Sequence, residues 1–303
     1  MAQLVLAIVY AAAATFAAAV VVRFLRIRRL PRQVRWEIYP VPHEGRRARH
    51  GGSRMEESNY WDKPRRRDRL EELRFMIPEM LLLKGLWEHN RRLWYRSFPF
   101  HFGLYLLILA TIAVFAATVA ERLALPGRDV LELAASTAVG AGAVLGLVGA
   151  LGLLWMRATD REMRPYTNPS HFFNLAFFVV VLALIATIYV RAGMTAEPFR
   201  AWSSALLAAD ASLLPADALS RSTLAFCALL IAWVPLTHMS HFFVKWFTWH
   251  QIRWDDEPYV RGGRIEKMIE KALNSPVTWS APHIGADGRK TWADIATEGV
   301  RDE

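Results

Sequence analysis

Long apolar runs, separated by segments rich in charge, set the pattern of this chain. Five of them reach about the 20 residues that an α-helix needs to cross a hydrocarbon core of about 30 Å. In chain order these runs are Leu4–Val22, Phe98–Val119, Leu131–Met156, His171–Val190 and Leu224–Val244. The pattern predicts an all-α fold, an integral membrane bundle of five transmembrane helices.

Basic residues are dense in some of the linking segments and sparse in others. Residues 23–96 and the tail from Lys245 onward are rich in arginine and lysine, whereas the link Ala120–Val130 contains only Arg122 and Arg128. The long link after the fourth run is also sparse, with only Arg191, Arg200 and Arg221. Cytoplasmic loops of membrane proteins carry the excess of Lys and Arg. The alternation predicts an N-terminus outside the cell and a C-terminus in the cytoplasm.

The runs and links divide the chain into four parts. Residues 1–26 are predicted to form the first transmembrane helix, 27–97 a cytoplasmic loop, 98–247 a four-helix membrane core and 248–303 a cytoplasmic tail. Within the loop, apolar residues between positions 70 and 86 recur at helical spacing. This spacing predicts an amphipathic helix that lies on the membrane surface.

Three local patterns refine this organisation. Gly142, Gly146 and Gly149 lie at the spacing that favours close packing between membrane helices. The stretch Thr195–Leu219 predicts a short interfacial helix. Pro235 predicts a kink in the fifth helix, because proline has no N–H to donate. Such a kink opens space for a flat cofactor or quinone, and an ordinary transmembrane proline is the equal alternative.

Composition narrows the possible chemistry. Of the 303 residues 53% are hydrophobic and 21% charged, with 37 basic against 28 acidic side chains and a net charge of +9. Because the basic residues border the membrane runs, they favour an acidic subunit or anionic lipid as partner and argue against nucleic acid. The single cysteine, Cys227, excludes an internal disulfide, an iron–sulfur cluster ligated by this chain alone and a c-type haem.

Histidines are the residues in the runs that carry chemistry. Of nine in the chain, four fall within or at the ends of runs, namely His101, His171, His238 and His241. An imidazole in hydrocarbon without a partner is unfavourable by a few kcal/mol, so such residues usually pair or ligate. In the predicted topology, His101, His171 and His241 lie within about one helical turn of the same level. The histidines outside the runs, interpreted as surface residues, include His89, His250 and His283.

A layer of histidines on facing helices suits haem b, whose iron takes two axial imidazoles at matched depth. No cysteine cluster or buried carboxylate group offers a competing metal site. His238 and His241 are three residues apart and are expected on one helix face, so at most one of them pairs with His101. Core histidines satisfied by hydrogen bonds are the alternative for each. His171 follows a helix-start signature at residues 168–170 and alternatively sits at the interface.

Two histidine-containing motifs resemble a known family. The second run opens with Phe98-Pro-Phe-His101-Phe-Gly-Leu-Tyr105, and the fifth contains Trp233-Val-Pro235-Leu-Thr-His238-Met-Ser-His241. Together with Arg253-Trp-Asp-Asp-Glu-Pro258 and Trp279-Ser-Ala-Pro-His283 in the tail, they are similar to membrane cytochrome b subunits related to the gamma subunit of respiratory nitrate reductase. Within that group the chain most resembles the membrane subunits of heterodisulfide-reductase-like complexes of sulfate reducers. The resemblance covers the chain from about Arg91 to its end.

The resemblance implies a haem b between the second and fifth helices, quinone exchange, and electron transfer to or from a cytoplasmic iron–sulfur subunit of the heterodisulfide-reductase type. It also implies a prokaryotic cytoplasmic (inner) membrane, with other membrane or periplasmic cytochrome subunits as further partners. By position, His101 and His241 match the axial ligands of the cytoplasmic-side haem. The family's second histidine on the second helix has no counterpart around Thr111. One haem b is therefore expected, and a second, held by His171 and His238, is the alternative.

The leading hypothesis is a haem b membrane subunit that carries electrons between the quinone pool, menaquinone or ubiquinone, and the iron–sulfur partner. Such a subunit is either a non-catalytic electron carrier or the quinone-reactive part of an oxidoreductase complex. Arg92 and Arg96 are candidates for pairing with the haem propionates. The candidates for the quinone site are Tyr105, His171 and Lys245. The alternative function is a haem-free membrane scaffold, or a proton-relay or transport subunit.

Overall fold

Helices form nearly all of the regular structure in the computed structural model, which describes residues 1–30, 41–45, 52–64, 67–255, 257–281 and 284–298. The α-helices are α1 (Ala2–Arg28), α2 (Arg69–Leu81), α3 (Lys84–His89), α4 (Arg91–Arg122), α5 (Arg128–Thr159), α6 (Pro169–Arg191), α7 (Glu197–Ala208), α8 (Ala218–Trp233), α9 (His241–Phe247), α10 (Arg264–Leu273) and α11 (Trp292–Thr297). The described residues contain only isolated bridges, such as Pro276 with Thr291, and no strand. The all-α prediction is confirmed.

Five helical segments in the described ranges are long and apolar enough to cross a membrane. They are Ala2–Arg28, Arg91–Arg122, Arg128–Thr159, Pro169–Arg191 and Ala218–Leu236. The first four contain the predicted runs and extend beyond them by up to seven residues at an end, because helix propensity continues into the polar flanks. The prediction of five helices long and apolar enough for a multi-pass membrane protein is confirmed.

The fifth spanning helix ends earlier than the sequence pattern predicts. Helix α8 stops at Trp233 and is followed by a 3-10 turn, Val234–Leu236, and by an extended residue, Thr237. Pro235 has no N–H to continue the helical ladder, and its ring clashes with the carbonyl four residues earlier. The prediction of one helix over Leu224–Val244 is wrong, because the proline ends the helix instead of bending it.

The early end of α8 separates two histidines that were expected on one helix face. His238 opens a second 3-10 turn, His238–Ser240, and His241 begins helix α9. Because His238 and His241 lie in different helical segments, their separation of three residues no longer implies a rotation of 60° about one α-helix axis. The prediction that His238 and His241 lie on one continuous α-helix is wrong, and their shared face stays a prediction.

The chain divides into two compact units. The first combines Met1–Ala19 with Glu72–His238 and contains the spanning helices α4, α5, α6 and α8. The second combines Val20–Glu71 with Met239–Glu303. In the first unit we call the end where α4 and α6 begin the histidine end, and the end where α4 and α6 finish the opposite end. The predicted four-part division by membrane position is a different grouping and stays a prediction.

Glycines bring α4 and α5 into backbone contact in the first unit. A Cβ atom added to Gly103 would lie 2.3 Å from the backbone nitrogen of Gly146 and 2.7 Å from the carbonyl oxygen of Gly142. One added to Gly149 would lie 2.3 Å from the backbone nitrogen of Phe100. Real side chains do not tolerate such distances, so only glycine allows the two helices to approach this closely. The predicted role of the α5 glycines in close packing is confirmed.

Four charged side chains link three helices at the opposite end. Arg200 of α7 donates to Glu121 of α4 at 2.6 Å and lies 3.6 Å from Glu132 of α5. Arg128 contacts the same two glutamates at 3.2 and 2.8 Å. We call Glu121, Arg128, Glu132 and Arg200 the ion-pair ring. Its members are partly exposed, so it fixes the position of α7 more than it adds to stability.

Buried contacts hold α7 and the start of α1 at the opposite end. The hydroxyl groups of Thr118 and Ser203, both about 1% exposed, are 2.5 Å apart. Trp202 donates its indole N–H to the Ser220 hydroxyl at 2.9 Å, and Tyr10 donates its hydroxyl to the Leu206 carbonyl at 2.6 Å. Helix α7 therefore confirms the short helix predicted within residues 195–219.

Two aromatic residues of α4 hold the carbonyl end of α2. Tyr105 donates its hydroxyl to the Met80 carbonyl at 2.7 Å, and Trp94 donates its indole N–H to the Leu82 carbonyl at 2.8 Å. The Met80 carbonyl belongs to the last turn of α2, where no intrahelical donor is available, and Leu82 follows that turn directly. The exposed side of α2 carries Leu70, Leu73, Ile77 and Leu81. This apolar side suits a helix at a membrane surface, a location that stays a prediction.

Trp254 anchors the second unit. Its side chain is fully buried, and its ring stacks on Trp249 with centroids 5.8 Å apart. The ring of His43, also buried, approaches Trp254 edge-on at 6.4 Å. Glu44, next to His43, accepts the Ser53 hydroxyl at 2.6 Å. Within this unit, the loop after α1 and the segment after α9 thus share one core.

Replacing Gly103 by alanine tests the helix contact. We expect Gly103→Ala to destabilise the protein by about 1–3 kcal/mol, the usual cost of overpacking, although alanine favours the helix itself by up to about 1 kcal/mol. Gly152→Ala is the control on the same interface, because its Cβ would meet only the flexible Arg96 Cγ at 3.2 Å. Thermal unfolding in detergent, followed by circular dichroism, measures both. Equal melting temperatures for the two variants would contradict the contact.

Candidate functional site

His101 lies on α4, one helical turn after Ser97, with its ring held in one orientation. Its Nδ1 is 2.7 Å from the Ser97 carbonyl oxygen and 3.3 Å from the Ser97 hydroxyl. Because a carbonyl can only accept, Nδ1 carries the proton and the basic lone pair is on Nε2. The Phe100 ring approaches His101 edge-on at 5.3 Å. His101 thus presents a defined tautomer on a spanning helix.

His171 and His238 come together at the histidine end. His171 is the third residue of α6, and its Nδ1 accepts the backbone N–H of Asn168 at 3.1 Å, while Asn168 Oδ1 accepts the His171 N–H. This reciprocal cap follows from the helix-start signature at residues 168–170. The rings of His171 and His238 have centroids 4.5 Å apart and are tilted by 53°.

The separation of these two rings has a direct bearing on metal binding. Axial imidazoles on opposite sides of one metal, each with its nitrogen about 2.0 Å from it, have ring centroids roughly 6 Å apart. His171 and His238, at 4.5 Å, are closer than that. As placed, they are neighbours in one polar cluster, and their role as a second haem pair stays a prediction.

Asn174 and Trp233 orient His238. The Trp233 indole N–H donates to Asn174 Oδ1 at 2.8 Å, which turns the amide nitrogen of Asn174 toward His238 Nδ1 at 3.5 Å. Asn174 is 3% exposed, so its amide has no water to satisfy it. Because the amide nitrogen of Asn174 can only donate, His238 Nδ1 is the acceptor and the ring proton is on Nε2.

Arg157, near the end of α5, supplies positive charge beside these rings. Its guanidinium donates to the Thr167 hydroxyl at 3.2 Å and interacts electrostatically with His171 and His238. Partial loss of solvation and the charge of Arg157 lower the pKa of His238, so this ring is neutral at pH 7. We call the set Arg157, His171, Asn174, Trp233 and His238 the histidine cluster.

His241 and Lys245 belong to the second unit. His241 is the first residue of α9 and its side chain is exposed. The Lys245 ammonium lies 5.6 Å from the centre of the Trp249 ring, within the range of a cation–π contact. The assignments of both residues stay predictions.

Two of the three histidines interpreted as surface residues are described. His89, at the end of α3, is exposed as expected. His250 is buried, stacks on Trp246 with centroids 3.8 Å apart, and its Nδ1 donates to the Trp246 carbonyl at 2.9 Å. Its interpretation as a surface residue is wrong, because a π-helical segment after α9 turns the ring into the core. His283 lies outside the described residues.

The other candidate residues of α4 already have partners. Arg92 lies 3.1 Å from a carboxylate oxygen of Asp160, an ionic contact without hydrogen-bond alignment. Arg96 donates to the Arg92 carbonyl at 2.6 Å. The Tyr105 hydroxyl is bound to the Met80 carbonyl, so a quinone at Tyr105 would have to replace that bond.

A haem b site fits the chemistry of His101. Among the described residues, no group of three or more His, Cys, Asp or Glu is arranged to hold a metal ion. A bis-histidine haem needs only two protein ligands, since the porphyrin supplies the other four nitrogens. An imidazole whose Nδ1–H is held by a carbonyl is the usual form of a metal-binding histidine.

The sequence reasoning missed three members of the histidine cluster. Asn174 follows His171 by three residues on one helix face, and an amide inside an apolar run is a signal that was available. Trp233 was noted only as part of a motif. Arg157 carried no local signal, because its proximity to the rings depends on how α5 packs against α6.

A cavity of about 580 Å³ lies at the opposite end, between α4, α5 and the residues that lead into α7. Its charged lining residues are Asp129, Glu132, Glu197 and Arg200. The hydroxyl of Ser136 accepts the Ala196 N–H at 2.9 Å at its wall. None of the predicted haem or quinone residues lines this cavity. The sequence pattern does not predict this cavity, because segments that are distant along the chain form it together.

Comparison of the chain with protein-family models, curated proteins and solved structures finds no match.

Replacing Asn174 tests the histidine cluster. We expect Asn174→Ala to destabilise the protein by about 1–3 kcal/mol, because it leaves the Trp233 indole N–H without its acceptor. Thr187→Ala on the same helix is the control, since Thr187 is exposed and bonds only its own helix backbone; a surface change of this kind stays within about 0.5 kcal/mol. Thermal unfolding in detergent compares the two. Wild-type stability of Asn174→Ala would refute the bond.

Proposed function

We propose that the chain is a haem b membrane subunit of a respiratory redox complex, carrying electrons between the quinone pool and a cytoplasmic iron–sulfur subunit. The observation that carries the proposal is the state of His101, an imidazole on a spanning helix with Nδ1 bound to the Ser97 carbonyl. That bond makes Nε2 the basic nitrogen and fixes the ring plane, as a haem ligand requires. The two histidine-containing motifs of the sequence support the same reading.

His241 is the proposed second axial ligand. It stands at the start of α9, just after the 3-10 turn that follows Pro235 and Thr237. A side chain at a helix start is placed by the preceding turn, so the proline that ends α8 determines where His241 is presented. When bound, haem b takes up and releases single electrons, and the protein sets its ligands, charge and access to water.

Basic side chains near His101 are the proposed partners of the haem propionates. Arg96 lies one and a half turns before His101, and Gly152 on α5 leaves room for its aliphatic stem. Arg92 is exposed and holds Asp160, whose side chain is 8% exposed. A propionate at Arg92 would share the guanidinium with Asp160, adding a charge-assisted hydrogen bond beside that ionic contact.

The quinone, menaquinone or ubiquinone, is proposed to bind near the same end, with Tyr105, His171 and Lys245 as candidate donors. His171 offers a neutral ring whose Nδ1 is engaged by the Asn168 N–H, so its Nε2–H is the donor. A donor of this kind suits the carbonyl oxygen of a quinone. The proposed membrane is the prokaryotic cytoplasmic one, with the N-terminus outside and the tail toward the iron–sulfur partner.

Absorption spectroscopy tests the proposed cofactor. The purified protein is expected to show the reduced-minus-oxidised bands of a b-type cytochrome, with one haem per chain by the pyridine assay. His101→Ala and His241→Ala should each remove the haem, because one imidazole does not hold a six-coordinate iron. The matched control is His89→Ala, an exposed histidine just before α4. A wild-type protein without these bands, expressed with haem available, would refute the proposal.

Cysteine labelling tests the proposed orientation. In a Cys227→Ala background, Ser212→Cys marks the opposite end and Glu162→Cys the histidine end, and both positions are exposed. A membrane-impermeant maleimide should label Ser212→Cys in intact cells and Glu162→Cys only after permeabilisation, because arginine-rich segments remain in the cytoplasm. The reverse pattern would invert the proposed topology.

A further inference from the structure

Arg157 gives the histidine cluster a positive charge that no carboxylate of the described residues balances. Arg157 is half-buried, donates a hydrogen bond to Thr167 and interacts electrostatically with the rings of His171 and His238. No acidic side chain contributes to the electrostatics of His171 or His238 among the described residues. An arginine in this setting normally has an anionic partner, because burying an unpaired charge is costly.

Both histidines present the same kind of donor. In both rings Nδ1 accepts a hydrogen bond. The donor to His171 is the Asn168 backbone N–H, and the donor to His238 is the Asn174 side-chain amide. Each neutral ring therefore carries its proton on Nε2. Across the described residues, neither Nε2 has a hydrogen-bond acceptor. Two N–H donors and a guanidinium thus come from three separate elements, α5, α6 and the turn after α8.

The position of the cluster indicates the source of the missing acceptor. Helix α5 ends at Thr159 and α6 begins at Pro169, so Arg157 and His171 lie at the ends of spanning helices. At this level of a bilayer the abundant anionic groups are phospholipid phosphates. The N-terminus of α6 adds the positive end of a helix dipole.

We propose that Arg157, His171 and His238 bind the phosphate of an anionic phospholipid, of which phosphatidylglycerol is the representative. The phosphate oxygens accept the two Nε2–H groups and pair with the guanidinium. A headgroup without a cation is preferred, because the choline of phosphatidylcholine would be repelled by Arg157. This site is independent of the proposed haem, which rests on His101 and His241, and it leaves Tyr105 and Lys245 as the quinone donors, because the phosphate takes the single Nε2–H of His171.

Native mass spectrometry of the delipidated protein in detergent tests the site. Wild type is expected to bind phosphatidylglycerol more tightly than phosphatidylcholine. Arg157→Gln should weaken phosphatidylglycerol binding about fivefold, the usual effect of one basic residue at a membrane surface. His238→Ala removes an exposed donor and should weaken phosphatidylglycerol binding in the same direction. The control is Arg122→Gln at the opposite end, whose guanidinium bonds the Ser204 carbonyl, and it should leave this preference unchanged.

The other outcomes of these measurements also support or overturn the proposed lipid site. Wild-type binding by both variants, or no preference between the two lipids, overturns the proposal. If inorganic phosphate at the same concentration raises the melting temperature as much as phosphatidylglycerol does, the ligand is a soluble anion and the lipid assignment is overturned. Should Arg157→Gln fail to fold, the His238→Ala result alone supports or refutes the site. The haem spectrum of wild type is a separate readout and does not affect this conclusion.

Discussion

The backbone contact between α4 and α5 is the constraint on which the first unit depends. Gly103 leaves no room for a Cβ against Gly146, and Gly149 leaves none against Phe100, so the two helices can neither slide nor rotate without a clash. His101 is two residues before Gly103, and its depth and direction are therefore set by a contact that it does not make. Since membrane helices gain no hydrophobic attraction from one another, close approach of small residues is the main way to fix such a register.

The early end of α8 is the second determinant of the site. If α8 had continued, Trp233, His238 and His241 would all lie on one α-helix, with His238 and His241 on the same face. Pro235 instead releases the chain into two tight turns, with Thr237 extended between them. His238 then lies against His171, while Trp233 bonds Asn174 from the last turn of α8. A residue with no chemistry of its own thus decides which imidazoles meet.

Local pattern predicted the parts of the structure that local forces determine. Run length predicted the first four spanning helices, small-residue spacing predicted that α5 packs closely against another helix, and the signature at residues 168–170 predicted the start of α6. One failure, the predicted helix over Leu224–Val244, has a local cause in Pro235, whereas two others depend on segments that are distant or irregular. Arg157 approaches His171 only because α5 packs beside α6. His250 is buried because of a π-helical segment, which the hydrophobic periodicity of the sequence does not predict. The haem assignments of His101 and His241 rest on residue chemistry and resemblance, and spectroscopy decides them.

The ion-pair ring affects how the two ends of the bundle respond to the surface potential of a membrane. Arg128 and Arg200 each contact two glutamates, so beyond a Debye length of about 8–10 Å their fields largely cancel. Arg157 has no such compensation among the described residues. A count of arginines along the chain gives Arg128, Arg157 and Arg200 equal weight. Only an arginine without a neighbouring carboxylate is strongly attracted to a negatively charged leaflet. Within the first unit, the two arginines and two glutamates of the ion-pair ring add no net charge to the opposite end, so a count of arginines overstates how positive that end is.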